Sequence, residues 1–300
     1  MVAVSNGNGL DLRAPAVSMQ QALRLYQSVA DAKAANARAD FNEYVEYVMR
    51  DERGEVMKQA IHHRIWQVHI SYCWQVGVHP AIMAPWSHGK TVQCVVGMAT
   101  YLLGQNPNLR IKIVCNTGDN AKKRVAAIGS VITQNKHYRQ VFPWIRPIGH
   151  VKSNKYDRSR WTQNAIYVAR SSSSAIDPSI EAAGILSQGM GGRADVLLFD
   201  DVVDNVNSLL KEAERDKVIR TFGEGWMSRL EPHGRCIYIG TPWHQADLTH
   251  DLYKRKAWCV LRQYVSSDYK QLNQEVYNMP DGYPIPRALG AVSGEVAVAR

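Results

Sequence analysis

Ala84-Pro85-Trp86-Ser87-His88-Gly89-Lys90-Thr91 decides how the rest of the chain is read. An apolar run, Ala81-Ile82-Met83-Ala84, leads into it and a helical pattern starts near Lys90, so the segment reads as strand, loop, helix. The GxxxxGK[ST] phosphate-loop pattern is met at Gly89, Lys90 and Thr91, where backbone N–H groups at a helix start can cradle phosphates. Ala84 stands where the pattern has its first glycine, which removes the residue usually free to adopt φ > 0. A helix N-terminus that happens to begin Gly-Lys-Thr is the plain alternative. Further parts, at the right places in the chain, must decide.

Two such parts lie downstream. Val196-Leu197-Leu198-Phe199 runs into Asp200-Asp201, which describes a buried central strand presenting carboxylates at its C-terminal end. In a phosphate-loop ATPase site Lys90 would meet the β/γ phosphates, Thr91 and Asp200 would hold Mg²⁺, Asp200 through water, and Asp201 would polarise the attacking water. The same acids could be helix caps or a solvated edge. Arg235 to Gly240 forms a second short buried strand ending in Thr241, whose hydroxyl would stand near the γ-phosphate, or would simply cap the next turn.

Around these the chain alternates strand and helix, which predicts an α/β fold with a mainly parallel sheet and right-handed crossovers. Ile111 to Cys115 reads as a strand, Asn120 to about Gln134 as a helix, Thr91 to Leu103 as a helix stopped by Gly104, and Trp161 to Arg170 as a strand. Leu209 to about Arg229 reads as a long helix capped by Asn207-Ser208, Asp247 to Lys256 as another, and Cys259-Val260-Leu261 as the last core strand. Met19 to Arg50 forms two helices, the second capped by Asp40, and the boundaries expected are a small helical subdomain over 1–59, the ATPase core over 60–263 and a linker over 264–300.

Ile61 to Val76 is a helix carrying His62, His63, Trp66, Gln67 and His69. A metal reading is set aside, because His62 and His69 fall on roughly one face without a carboxylate or cysteine beside them. Gln67 could pair with a donor and an acceptor on adenine. Lys152, Lys155, Arg158 and Arg160, interleaved with Tyr156 and Trp161, would suit a strand of nucleic acid or a plain solvated loop.

Composition narrows the class. Across 300 residues, 45% hydrophobic and 21% charged is an ordinary globular balance, and no apolar run approaches the ~18 residues of a membrane span. Residues 1–20 lack a signal-peptide pattern. Five cysteines, Cys73, Cys94, Cys115, Cys236 and Cys259, form no CxxC pair, which suits a reducing compartment and gives no zinc signature. A formal charge of +9 favours polyanionic partners without identifying one.

With the pieces in this order, roughly Ile61 to Leu261 resembles the ATPase domain of the large terminase subunit of tailed bacteriophages. The likeness rests on His63, Trp66 and Gln67, on Ala84 to Thr91, on Gly184 to Asp201, and on Ile239-Gly240-Thr241-Pro242-Trp243-His244. The last motif is similar to the family's coupling motif. The resemblance implies a P-loop NTPase fold using ATP and Mg²⁺, with Ser87, His88, Gly89, Lys90, Thr91 and Gln67 on the nucleotide. It implies a motor translocating double-stranded DNA into a procapsid, partnered by a portal protein and a small terminase subunit, working as a homo-oligomeric ring in the host cytoplasm and transiently on the procapsid. Arg193 or another arginine would serve as a finger on a neighbour's ATP.

Two positions depart from the family. Trp86 and Ser87 stand where many relatives carry arginine, and Asp201 stands where many carry glutamate, a methylene longer. The family's second domain, a metal-dependent nuclease, is not expected in Tyr264 to Arg300, where Asp268, Glu275, Asp281 and Glu295 lie among Pro and Gly. The alternatives are a helicase-like DNA-dependent ATPase, or a nucleotide-binding DNA or assembly scaffold without turnover.

Overall fold

Val196 to Phe199 carries no polar residue because both faces of its strand are covered. The computed structural model describes residues 18–51, 53–148, 161–172, 175–187, 191–265 and 272–285. The basic residues Lys152, Lys155, Arg158 and Arg160, with Tyr156, lie outside them, as do Asp268 and Glu295. In chain order the strands are β1 (His79–Met83), β2 (Ile111–Cys115), β3 (Pro147–Ile148), β4 (Ala165–Val168), β5 (Ile180–Gly184), β6 (Ala194–Asp200), β7 (Leu230–Gly240), β8 (Trp258–Val265) and β9 (Leu272–Tyr277). They form one nine-stranded sheet in the order β3-β4-β5-β2-β6-β7-β1-β8-β9. From β5 to β8 every pairing is parallel, and β4, β3 and β9 add antiparallel margins. The fold is therefore α/β, with a mostly parallel sheet flanked by helices.

Alternation along the strands divides the core into two layers. Ile82, Ile113, Val196, Leu198, Ile237, Ile239 and Leu261 face one side. There they meet α1 (Met19–Ala39), α2 (Phe41–Val48), α3 (Ile61–Gln75), α4 (Met98–Gln105), α5 (Gly118–Gln134) and α6 (Lys136–Val141). Ala81, Met83, Leu197, Phe199, Tyr238 and Val260 face the other, against α7 (Glu212–Arg220) and α8 (Leu248–Leu252). No helix among the described residues is long and apolar enough to cross a membrane.

Asp40 caps α2 as expected, accepting from the Glu43 N–H at 2.9 Å. The two N-terminal helices share the core of the first layer: the Tyr44 hydroxyl donates to Thr100 Oγ1 at 2.7 Å, and Arg38 Nε to the Val141 carbonyl at 2.9 Å.

Besides α8 and β4, which are shorter than the segments read as helix and strand, three elements differ from the sequence reading. The helix after the phosphate loop opens with a π-helical turn, Val92–Gly97, and continues through Gly104 to Gln105. Gly104 is there for close approach, since a Cβ would sit 2.2 Å from the Phe142 ring. The long helix expected from an Asn207-Ser208 cap to Arg229 starts instead at Glu212, after a separate turn Asn205–Leu209 that Asp204 caps, and passes after Arg220 into a π-helical turn, Thr221–Trp226, where buried Trp226 donates from Nε1 to the Ile185 carbonyl at 2.9 Å. Finally, the sheet does not end at Leu261. β8 continues to Val265 and pairs with β9, from Val260↔Tyr277 to Val265↔Leu272.

Candidate active site

Strand register brings the chemistry together. Met83 pairs with Gly240, Asp200 with Ile239, and Cys115 with Asp200, so four parallel strands finish in one row. The residues that follow, Ala84, Thr241, Asp201 and Asn116, therefore emerge along one edge, the carboxyl ends of the strands where α/β sheets bind ligands. Because β7 lies between β1 and β6, Thr241 stands between the loop and the acids.

Within the loop, Ser87 and Gly89 have φ of 62° and 77°. Ala84 does not: the left-handed turns fall later, so the missing first glycine removes no freedom this loop requires. Left-handed residues in such a loop can turn N–H groups towards an anion, as in a nest. His63 of α3 fastens the loop from outside. Its Nδ1 accepts from the Ala60 N–H at 3.2 Å, which leaves Nε2–H to donate to the His88 carbonyl at 3.0 Å. Burial pushes the His63 imidazole towards its neutral form and takes His62 down to about 3. A Cβ on Gly89 would stand 3.2 Å from His63 Nε2, a tight contact that adds to the demand its positive φ makes for glycine.

Lys90 is buried, with its ammonium bonded to the Ala84 carbonyl, to the Pro85 carbonyl at 3.2 Å and to Thr241 Oγ1 at 3.1 Å. Burial lowers its pKa, opposed by Asp201 and then Asp200. The Thr91 hydroxyl lies 3.1 and 3.2 Å from the two oxygens of Asp200, which is fully buried. Arg124 of α5 donates to Asp200 Oδ2 at 2.7 Å, giving the buried carboxylate the partner it needs. Asp201 has φ of 45° and its N–H donates to the Ile239 carbonyl at 3.0 Å. Burial, followed by the neighbouring Asp200, raises its carboxyl above the usual range.

Thr91 and Asp200 have the donor set for Mg²⁺: hard oxygens, one of them anionic.

Lys90, Thr91, Asp200, Asp201 and Thr241 are thus neighbours, beside the loop residues Ser87, His88 and Gly89. Arg193 stands elsewhere. Arg193 lies just before β6 at the opposite end of the sheet, ~23 Å of strand from Asp200, paired with Glu231 at 3.1 Å. Gln67 is buried on α3, lining a hollow with Phe41, Asn42 and Tyr101, and its Nε2 has no hydrogen-bond partner among the described residues. Two residues of the site escaped the sequence reading. Arg124 had one available signal, a cation one turn on from Ala121 along the buried face of α5. His63 was noticed, though not as the strut of the loop.

No protein-family model matches the sequence, and no curated protein does. Among solved structures the chain is similar to the crystal structure of the HK97 bacteriophage large terminase, with a TM-score of 0.47 and 13% identity, over 72% of this chain and 40% of that one. The chain thus matches two fifths of that protein's length.

Proposed function

We propose that the protein is an ATP-hydrolysing motor domain that moves double-stranded DNA, of the kind that fills viral procapsids. The observation carrying the hydrolytic part is the joint contact of Lys90 with Thr241 and of Thr91 with Asp200 at the carboxyl ends of neighbouring strands. Phosphates entering the nest would take over the Lys90 ammonium from the neutral carbonyls it now touches, and their charge would offset the loss of that lysine's solvation. Mg²⁺, held between Thr91 and Asp200, would neutralise charge developing on the phosphates. Asp201 would take the proton of the attacking water, and its raised pKa brings it nearer the operating pH of a general base. Thr241 would report the state of the γ-phosphate to β7.

The DNA part rests on the sequence motifs that resemble large terminases and on the +9 charge. A portal protein, a small terminase subunit and a ring of copies belong to the same reading. In such a ring a neighbour's arginine would complete the site, worth about 10³–10⁵ in rate.

Mg-dependent ATP turnover of the full chain, measured against protein concentration with and without double-stranded DNA, tests both parts. Lys90→Ala and Asp200→Asn should abolish it, and a rise steeper than first order in protein would indicate a shared site. Undiminished turnover in both variants overturns the site. Nucleotide binding without turnover at any concentration, with DNA present, would make the chain a scaffold.

A further inference from the structure

Two turns along α3 from His62, which packs against His88 of the loop, His69 and Cys73 lie one helical turn apart and meet Cys259 of β8. All three are fully buried, and their donor atoms lie within 4.8 Å of one another. The expectation that no cysteine accompanies His69 fails here, because Cys73 is one turn along and Cys259 arrives from the other end of the sequence.

We infer that His69, Cys73 and Cys259 form a metal site for a thiolate-seeking, tetrahedral divalent cation, with Zn²⁺ as the representative. Zinc binds thiolate at about 2.3 Å and imidazole at about 2.0 Å, so the donors of a tetrahedral site stand roughly 3.5–3.8 Å apart. Cys73 Sγ is 3.7 Å from His69 Nδ1. The charges also balance. Binding displaces the two thiol protons to solvent, and two thiolates cancel the charge of the cation, so no net charge is left in the core.

The fourth position falls to the half-buried Tyr283, whose hydroxyl lies 2.6 Å from His69 Nδ1, or to a water beside it. On binding, that hydrogen bond gives way and the tyrosine oxygen turns to the cation. The next turn of α3 holds the same segment, because the Tyr72 hydroxyl donates to the Asp281 carbonyl. A cation here would tie α3, which carries the His63 strut, to β8 and to residues 281–285.

Metal content of the purified, reduced full chain tests this. We expect about one zinc per chain, lost in Cys259→Ser and His69→Gln and kept in Cys236→Ala. Should the ligand variants fail to fold, the wild-type chain stripped by chelator and loaded with Co²⁺ should show the intense absorption of a tetrahedral cobalt–thiolate centre, and its melting temperature should rise with added Zn²⁺. A zinc-free chain whose Co²⁺ spectrum is that of the hydrated ion overturns the site, as does a Cys73–Cys259 disulfide that persists when reductant and Zn²⁺ are supplied together.

Discussion

At the amino end of the sheet, Arg110 is held by both oxygens of Asp195, at 2.9 and 3.0 Å, and by Glu231 at 2.7 Å. At the carboxyl end, Lys90, Asp200, Asp201 and Arg124 gather with the same density of charge and the opposite economy. Hydrogen bonds donated to Asp195 stabilise the Arg110 cation, and Arg110 holds the Glu231 carboxyl low. Burial works against the charge of Asp195, yet Arg110 still holds its carboxyl below the ordinary range. Across the sheet burial wins: Lys90 is pushed down, Asp201 is pushed up, and Ser87 and Asp201 occupy left-handed φ. Charge density alone does not mark a site. Charge kept in a form its surroundings disfavour does.

Asp201→Asn should lower turnover by about 10²–10⁴, the loss expected for removing a general base. Its stability should not fall. A carboxyl whose folded pKa is raised binds its proton more tightly in the native state, so its contribution to stability is present at low pH and declines as pH rises from the unfolded value through the raised one. Near neutrality the charged form opposes folding, and asparagine removes that opposition. Wild-type turnover should correspondingly fall on acidification before a normal aspartate would protonate, which a pH–rate profile reads directly.

Gly89→Ala should come next, with strain of about 1–2 kcal/mol from the left-handed φ and displacement of the His63 ring, seen as weakened nucleotide binding by calorimetry. Arg110→Ala should reverse the pattern, lowering stability by about 1–3 kcal/mol in urea unfolding while leaving turnover unchanged. Arg193→Ala, at an exposed pair, should change stability by no more than about 0.5 kcal/mol. A loss of turnover confined to concentrations at which copies assemble would transfer Arg193 to a neighbour's site and break the contrast between the two ends.

Much of the carboxyl end was legible because its parts are strand ends. Apolar runs closing on Thr241 or Asp200-Asp201, and a Gly-Lys-Thr after β1, are local signals that parallel register gathers without further information. What was not legible depends on contacts between distant segments. Arg124 meets Asp200 across 76 residues and His63 meets the loop across 25, and neither pairing leaves a periodicity in the chain. β9 follows the last apolar run after a polar stretch, and its alternating Leu272, Gln274 and Val276 gain meaning only beside β8. Cys259 reads only as part of a core strand because Cys73 and His69 lie far away in sequence.

Lys90→Ala, taken from one preparation into both a thermal melt and a Mg-ATP turnover assay, tests the central contrast most directly. Burial opposes the lysine's charge while Thr241 and the two aspartates favour it, so the variant should melt near the wild-type temperature while turnover disappears. A variant that melts lower and still turns over ATP would make Lys90 a structural cation like Arg110, and the carboxyl end no site at all.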